Sequence, residues 1–419
     1  HDALPIYLRG ALIGAFAVFA FLIWWVPPNN NDSLSTHLSR IGYWLQHNSL
    51  LPWETFNPKQ VFYPLNAALQ VYWTVLMLGS DRLAGIVQWI GGLASIVCVF
   101  GIARLIGWTR PQSAFAALVY GSFPIILLQS TTTQLDLVSA AIFLPTVYFL
   151  ILGIKTSRRA MYILSGLSLG LALGTKQTLL FLLPGLAVFL LLQARHWKRN
   201  PRHLSAWAAA AAGFFILLSS PIYVISAWYY GSPFGPPEVV SASTGGMQAT
   251  DILASLKYNV PRLTYQFFDF SGMPEPISEF GYRARRKLGI ELAGLTSFSL
   301  ETPAALAENH QFAYAYKTHL SEDESWFGVP GFLFLLPAAV QQLIHGLRKK
   351  DSLRVGLVLF ALIYLPVVAA LRPGWDPFQG RYFIAACAAL APFIGVVVQP
   401  GWWSRVVRWL AAVIAVTTI

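Results

Sequence analysis

Charge is what this chain has least of. Only 11% of its 419 residues are charged, against about one quarter in an ordinary soluble domain, which excludes a water-soluble globule. Cysteine is almost as scarce. Cys98 and Cys387 both lie inside apolar runs, where a thiol acts as a small hydrophobe, so a disulfide framework is excluded. No glycine-rich phosphate loop, no Cys/His metal spacing and no repeat of fixed period is present. A divalent metal is therefore supported by no motif, and no cofactor is assigned. The net charge of +11 comes from short Lys/Arg clusters between apolar runs. Such clusters argue against a nucleic-acid partner and read as topology signals.

What the chain does have is long apolar runs. With 56% hydrophobic residues and a mean hydropathy of +0.55, it is expected to be an all-α, multi-pass membrane protein. A bilayer core of about 30 Å needs ~20 helical residues. On that scale spans are predicted near 10–26, 82–105, 112–129, 133–154, 160–175, 177–194, 204–228, 329–347, 355–371, 381–398 and 404–419, or about eleven. The run after Arg9 is too long for a signal-peptide core and is expected to be retained as a span. The run Leu65–Gly79 is shorter and interrupted by Asn66 and Gln70, so it is expected to lie in the interface or to re-enter. Trp24, Trp25, Trp402 and Trp403 read as interfacial belts.

Three regions follow: residues 1–228 as an amino-terminal membrane core with a first outer loop at 27–63, residues 229–328 as a long outer loop, and residues 329–419 as carboxy-terminal membrane helices. The 229–328 insert is rich in Pro, Gly, Phe and Tyr and is expected to fold, partly helical, over the outer face. Orientation follows from the short loops. With the amino terminus inside, Arg104, Lys155, Arg195, Lys198, Arg199, Arg348 and Lys349 fall inside, while sixteen of the eighteen acids fall outside. Asp32, Asp136, Lys176 and Arg381 then share the outer membrane level.

That juxtaposition points to chemistry. In a chain so poor in charge, two carboxylates and two cations at one depth imply a polar ligand. Two cations suit an anionic phosphate, and a carboxylate suits proton abstraction from an attacking hydroxyl. Plain readings stand beside these: Asp32 as a loop acid or helix cap, Asp136 as a cap, Lys176 and Arg381 as interfacial cations, and His37 as a polar loop residue. Glu54 and Lys59 read as loop residues and the acids at 322–324 as capping or solvating the eighth span, with a site contact as the minority reading of each; Arg283, Arg285, Arg286 and Lys287 read as a headgroup-facing or solvated patch.

The segment Asn31–His47 resembles the first external loop of the GT-C fold glycosyltransferases that use polyprenyl-phosphate sugars, such as protein O-mannosyltransferases and lipid A aminoarabinose transferases. Tyr63-Pro64-Leu65-Asn66 resembles the continuation of that loop, Gln134-Leu135-Asp136, Gly174-Thr175-Lys176 and Gly380-Arg381-Tyr382-Phe383 resemble further parts in the expected order, and the string Glu322–Gly328 before a span is also similar. The resemblance implies a GT-C helical bundle in a bacterial inner (plasma) membrane. It implies transfer of a sugar from a polyprenyl-phosphate donor to a lipid, glycan or protein acceptor on the external face, with inversion at the anomeric carbon. Asp32 would be the base, and Asp136, Lys176, Arg381, His37 and Tyr382 would bind substrate. Many relatives carry a second acid directly after the first, whereas here Ser33 follows Asp32. That departure supports a second reading, an inactive subunit keeping the fold within a membrane complex. A transporter is the third.

Overall fold

The computed structural model describes residues 4–244, 249–301, 311–372, 375–398 and 402–418; the side chains of Trp402 and Trp403 lie outside the described residues. Every assigned element among the described residues is a helix. Among the described residues seven helical runs are long and apolar enough to cross a bilayer: Tyr7–Trp25, Ile86–Leu105, Asp136–Thr156, Pro201–Tyr230, Gly328–Lys349, Ser352–Leu371 and Pro377–Val397. The other four predicted spans fall on shorter or broken helices. Arg110–Gly121 is separated from Pro124–Gln129 by the turn that Pro124 imposes at its own first position, and Arg159–Leu173, Gln177–Leu192 and Val406–Thr417 are shorter than a straight crossing requires.

These helices form because their apolar residues are continuous, and continuity on all faces leaves no polar side to turn outward. Ile86–Leu105, Asp136–Thr156, Arg159–Leu173 and Pro201–Phe214 pack successively, and Leu183–Leu192 lies along Ser352–Leu371. Pro377–Val397 is the most enclosed run and Pro201–Tyr230 the most peripheral. The enclosed run brings Ile384–Leu390 against Asp136–Thr156, which carries Arg381 and Asp136 to the same end of the bundle.

The two ends differ chemically. At one end the Arg354 guanidinium donates to the Ile106 carbonyl (3.0 Å) and the Gln193 amide to the Ser352 carbonyl (2.9 Å), tying together the cation-rich loops. The opposite end gathers the 27–63 loop and the 229–328 segment. The helix Ser39–His47 packs on Asn66–Leu78 there, a helix of 13 residues, or about 20 Å at 1.5 Å per residue and too short to cross. Among the described residues the long insert holds three helices, Pro237–Thr244, Ala249–Phe267 and Glu275–Thr296. Buried Asp269 ties the insert together, accepting from the Ser271 backbone (3.0 Å), the Tyr282 hydroxyl (2.9 Å) and the Trp326 backbone (3.1 Å). A buried carboxylate with this many donors is satisfied and rigid, so it fixes the strand of chain from Glu322 to Gly328.

Candidate active site

Three backbone devices aim side chains into one pocket. The first is Gly174. A Cβ at this position would stand 2.3 Å from the Ser219 hydroxyl oxygen and 2.6 Å from the Asn66 amide nitrogen, so only glycine lets Asn66 close in. Asn66 then donates from its backbone to the Gly174 carbonyl (2.9 Å) and from its side chain to the Leu171 carbonyl (2.9 Å). Two residues on, Lys176 leaves the helix in extended conformation (φ −153°) and faces the pocket.

The second device is Leu135, buried and held at φ 71°. A bulky residue in the left-handed region is a true outlier and costs roughly 1–3 kcal/mol. It turns the chain sharply between Gln134 and Asp136, both of which line the pocket. The third is Gly380, where a Cβ would meet the Trp326 ring at 2.9 Å. With Trp326 stacked on Phe383 at 5.7 Å, this contact seats the segment carrying Arg381 and Tyr382 against the string Glu322–Gly328.

The pocket has a volume of about 110 Å³ and is lined by Asp32, His37, Arg40, Asp136, Lys176, Arg372, Arg381 and Tyr382, among others. All six residues singled out in the sequence, Asp32, His37, Asp136, Lys176, Arg381 and Tyr382, therefore border one space. A larger cavity of about 630 Å³ lies between Ala249–Phe267 and Glu275–Thr296, but among its described lining residues Arg285 alone is charged, so it holds no opposed charges. Glu54 and Lys59 are not among the pocket-lining residues.

Inside the pocket the charges are paired. Lys176 Nζ forms an ion pair with Asp136 Oδ1, and the other oxygen of Asp136 is buried without a hydrogen-bond partner. Arg381 Nη1 donates to Asp32 Oδ2 (2.7 Å) and to Asp323 Oδ1 (3.2 Å). Tyr382 lies between two cations: Lys176 stands 5.4 Å and Arg372 5.3 Å from its ring centroid, and Arg372 also donates to its hydroxyl (3.1 Å). Arg40 is committed to the loop itself, donating to the Tyr63 (2.6 Å) and Pro64 (3.2 Å) carbonyls.

Two carboxyls of this site are pulled in opposite directions. Burial disfavours the charge on Asp32, but Arg381, helped by His37 and Lys59, outweighs it and holds the carboxyl below its ordinary value. At Asp323 burial prevails over Arg381 and Gln134 and pushes the carboxyl up. Burial also drives the His37 imidazole down to about 3, against the pull of Asp32. His37 is thus neutral at physiological pH and can accept or donate a hydrogen bond without adding charge.

The overall fold of the chain is similar to that of solved proteins. Across 97% of this chain and 62% of the other, the fold superposes on that of ArnT from Cupriavidus metallidurans bound to undecaprenyl phosphate, with a TM-score of 0.53 at 11% identity. The apo form of that protein matches over 93% of this chain and 60% of its own at 14% identity, again with a TM-score of 0.53. The Archaeoglobus fulgidus oligosaccharyltransferase, in complex with Zn and sulfate, matches over 96% of this chain and 50% of its own, with a TM-score of 0.50 at 13% identity. The chain has the GT-C fold. It spans about 60% or less of the length of these solved proteins. The family model for dolichyl-phosphate-mannose-protein mannosyltransferase matches residues 64–223, a stretch that includes Asp136 and Lys176. No curated protein matches this chain.

Within this GT-C bundle the sequence reading missed Arg372; Arg40 lies in the first-loop segment it had singled out, and Asp323 in the acidic string 322–324, to which it gave no main part in the site. Arg372 had a signal, as a lone cation between spans on the side where cations are scarce. Asp323 was read as capping or solvating the eighth span, and the structure corrects that: it reaches Arg381 from a segment distant in sequence. Ser33, where many relatives carry an acid, is fully buried, and its hydroxyl oxygen accepts from the Thr133 backbone (3.2 Å). It fastens the first loop to the turn before Asp136. Among the described residues no group of three or more His, Cys, Asp or Glu stands together as a metal would require.

Proposed function

We propose that this protein is a membrane glycosyltransferase that moves a sugar from a polyprenyl-phosphate donor to an acceptor at the external face. The observation that carries the reading is the pairing of Lys176 with Asp136 and of Arg381 with Asp32 around one pocket of a GT-C bundle. The structural match to a protein bound to undecaprenyl phosphate supports the donor class.

In the proposed mechanism the donor phosphate enters between Lys176 and Arg381 and takes hydrogen bonds from both. Arg381 offers a planar fork and Lys176 a compact point charge, so the phosphate is both oriented and neutralised. Arg381, once engaged, loosens its hold on Asp32. Asp32 then accepts the proton of the acceptor hydroxyl or amine as that nucleophile attacks the anomeric carbon. The sugar–phosphate bond breaks, and the polyprenyl phosphate leaves with its charge already stabilised by the same cations. Backside attack inverts the anomeric centre. Asp136 holds Lys176 in place through the turn at Leu135, and Tyr382 keeps two cations apart on its ring.

The deciding experiment is transfer from a polyprenyl-phosphate sugar by purified protein in lipid, comparing wild type with Asp32→Asn. The amide keeps the shape but accepts no proton, and loss of a general base costs about 10²- to 10⁴-fold. Activity within a few-fold of wild type removes Asp32 from the mechanism. The inactive-subunit reading has one observation in its favour, buried Ser33 in place of a second acid, and predicts no transfer by wild type.

A further inference from the structure

Asp323 has no part in the mechanism above, yet it reaches the same guanidinium nitrogen as the proposed base. Resting on the donor reading of this pocket, we propose that Asp323 is a positioning residue: it competes with the donor phosphate for Arg381 and, by sharing that guanidinium, sustains Asp32 as the base.

The geometry makes Asp323 a built component. Its Oδ1 accepts from the Gln134 amide at 2.5 Å as well as from Arg381. Gln134 in turn accepts from Gln129, whose amide also donates to the Glu322 carbonyl (2.6 Å). Gln88 donates to Gln129 (3.0 Å) and accepts from the Val138 backbone (3.0 Å). Gln88, Gln129 and Gln134 are all buried. A chain of satisfied buried amides is rigid, so Asp323 is held where it stands and does not drift with a solvated loop. Its neighbour Trp326 is fixed by Asp269 and by Gly380, so the carboxylate and Arg381 keep one register.

The charges then decide the role. One Arg381 nitrogen serves two carboxylates, so each has only a share of it. Asp323 thereby keeps Arg381 from closing fully on Asp32 and leaves Asp32 a better proton acceptor than a private ion pair would. The same negative charge opposes the incoming phosphate. One residue therefore weakens donor binding and sustains the base. The groups that face this cluster are Arg381, Asp32, His37, Lys59, Glu322 and Asp136, and none of the others shares both contacts.

The test is Asp323→Asn, whose oxygen still accepts from Gln134 while the charge is gone. Undecaprenyl phosphate is the probe, with affinity read by titration of the folded protein in lipid nanodiscs and turnover read by sugar transfer. The expected result is affinity tighter by about tenfold, of the order seen for one charge-pair interaction, together with kcat lower by about tenfold. Asp323→Glu restores both in part, and Glu322→Gln, whose side chain makes no contact with Arg381, moves neither by more than about twofold. Should Asp323→Asn fold poorly, Asp323→Ser gives the same signs. Affinity that is unchanged or weaker in a folded charge-removing variant overturns the proposal while leaving the donor reading intact. Failure of wild type to bind the probe overturns both.

Discussion

The sharpest test of the phosphate grip is Arg381→Ala. In the resting protein its Nη1 holds Asp32 at 2.7 Å and Asp323 at 3.2 Å, so donor phosphate must displace partners already in place. A charge-assisted hydrogen bond contributes about 1.5–3 kcal/mol, and displacement puts the net loss at the lower end, about tenfold to thirtyfold in donor affinity. A second effect rides on the first. Without the arginine the two carboxylate oxygens stand within about 6 Å of each other with no shared cation, a repulsion of about 3 kcal/mol at an effective dielectric of 20. Because the Asp32 side chain is 39% exposed, screening reduces this to roughly 1–2 kcal/mol. The pair then takes up a proton more readily than in wild type. Hence the ratio of mutant to wild-type dissociation constants should grow by several-fold from pH 5.5 to pH 8, as the second carboxylate ionises and repels the phosphate. Titration of undecaprenyl phosphate at both pH values reads the ratio, and the phosphate's own titration cancels within it. Arg381→Lys should restore only part of the affinity, since lysine lacks the fork. Lys176→Ala should weaken binding too, and non-additively with Arg381→Ala, because both would grip one ligand. Unchanged affinity in both single variants and the double variant refutes the phosphate grip.

Other outcomes follow from the same contacts. Gly174→Ala should destabilise the protein by about 1–3 kcal/mol through overpacking and weaken donor binding as Lys176 shifts; Ser219→Ala on the same chain should recover part of both, measured by thermal unfolding and lipid titration. Since Arg381 holds Asp32 below its ordinary range and burial holds His37 near 3, neither should titrate between pH 5 and 8. Any inflection in kcat/KM in that window that disappears in His37→Gln contradicts the neutral-histidine assignment. A cysteine at Leu295, 83% exposed, should react in intact cells with an impermeant thiol reagent, whereas one at Asn200 should not; the reverse pattern inverts the proposed topology.

Much of the bundle was legible because lipid imposes simple rules: runs of about twenty apolar residues must be helical, and cations mark one side. The long spans such as Ile86–Leu105 and Ser352–Leu371 followed directly. Residues 112–129 were less tractable, because hydropathy reports apolarity and not the break at Phe123-Pro124. Asp32, Asp136, Lys176 and Arg381 could be grouped since each is an ionisable residue at the same end of a span. Asp323 could not: in sequence it is one of three consecutive acids, and only the amide chain through Gln134 distinguishes it from its neighbours. The strained turn at Leu135 had no signal either, as leucine has no preference for a positive φ and is held there by its surroundings.

The resting pocket also answers a physical difficulty in holding free cations at the edge of a bilayer. An unpaired lysine or arginine partly removed from water is costly, and a site preformed for phosphate must hold both before the ligand arrives. Here the two cations proposed to grip the phosphate each have a carboxylate to neutralise them, Lys176 with Asp136 and Arg381 with Asp32 and Asp323. Donor binding then becomes an exchange of anions on fixed cations, with little net desolvation. Exchange has a consequence that simple capture lacks. The carboxylate set free from Arg381 is released when the phosphate docks, so on the proposed reading Asp32 gains basicity only when a donor is present to use it. The phosphate that activates the base is the same group that leaves with the lipid, after which Arg381 returns to Asp32 and the base is quenched. Proton abstraction without donor would be disfavoured by the same ion pair that keeps the empty site stable.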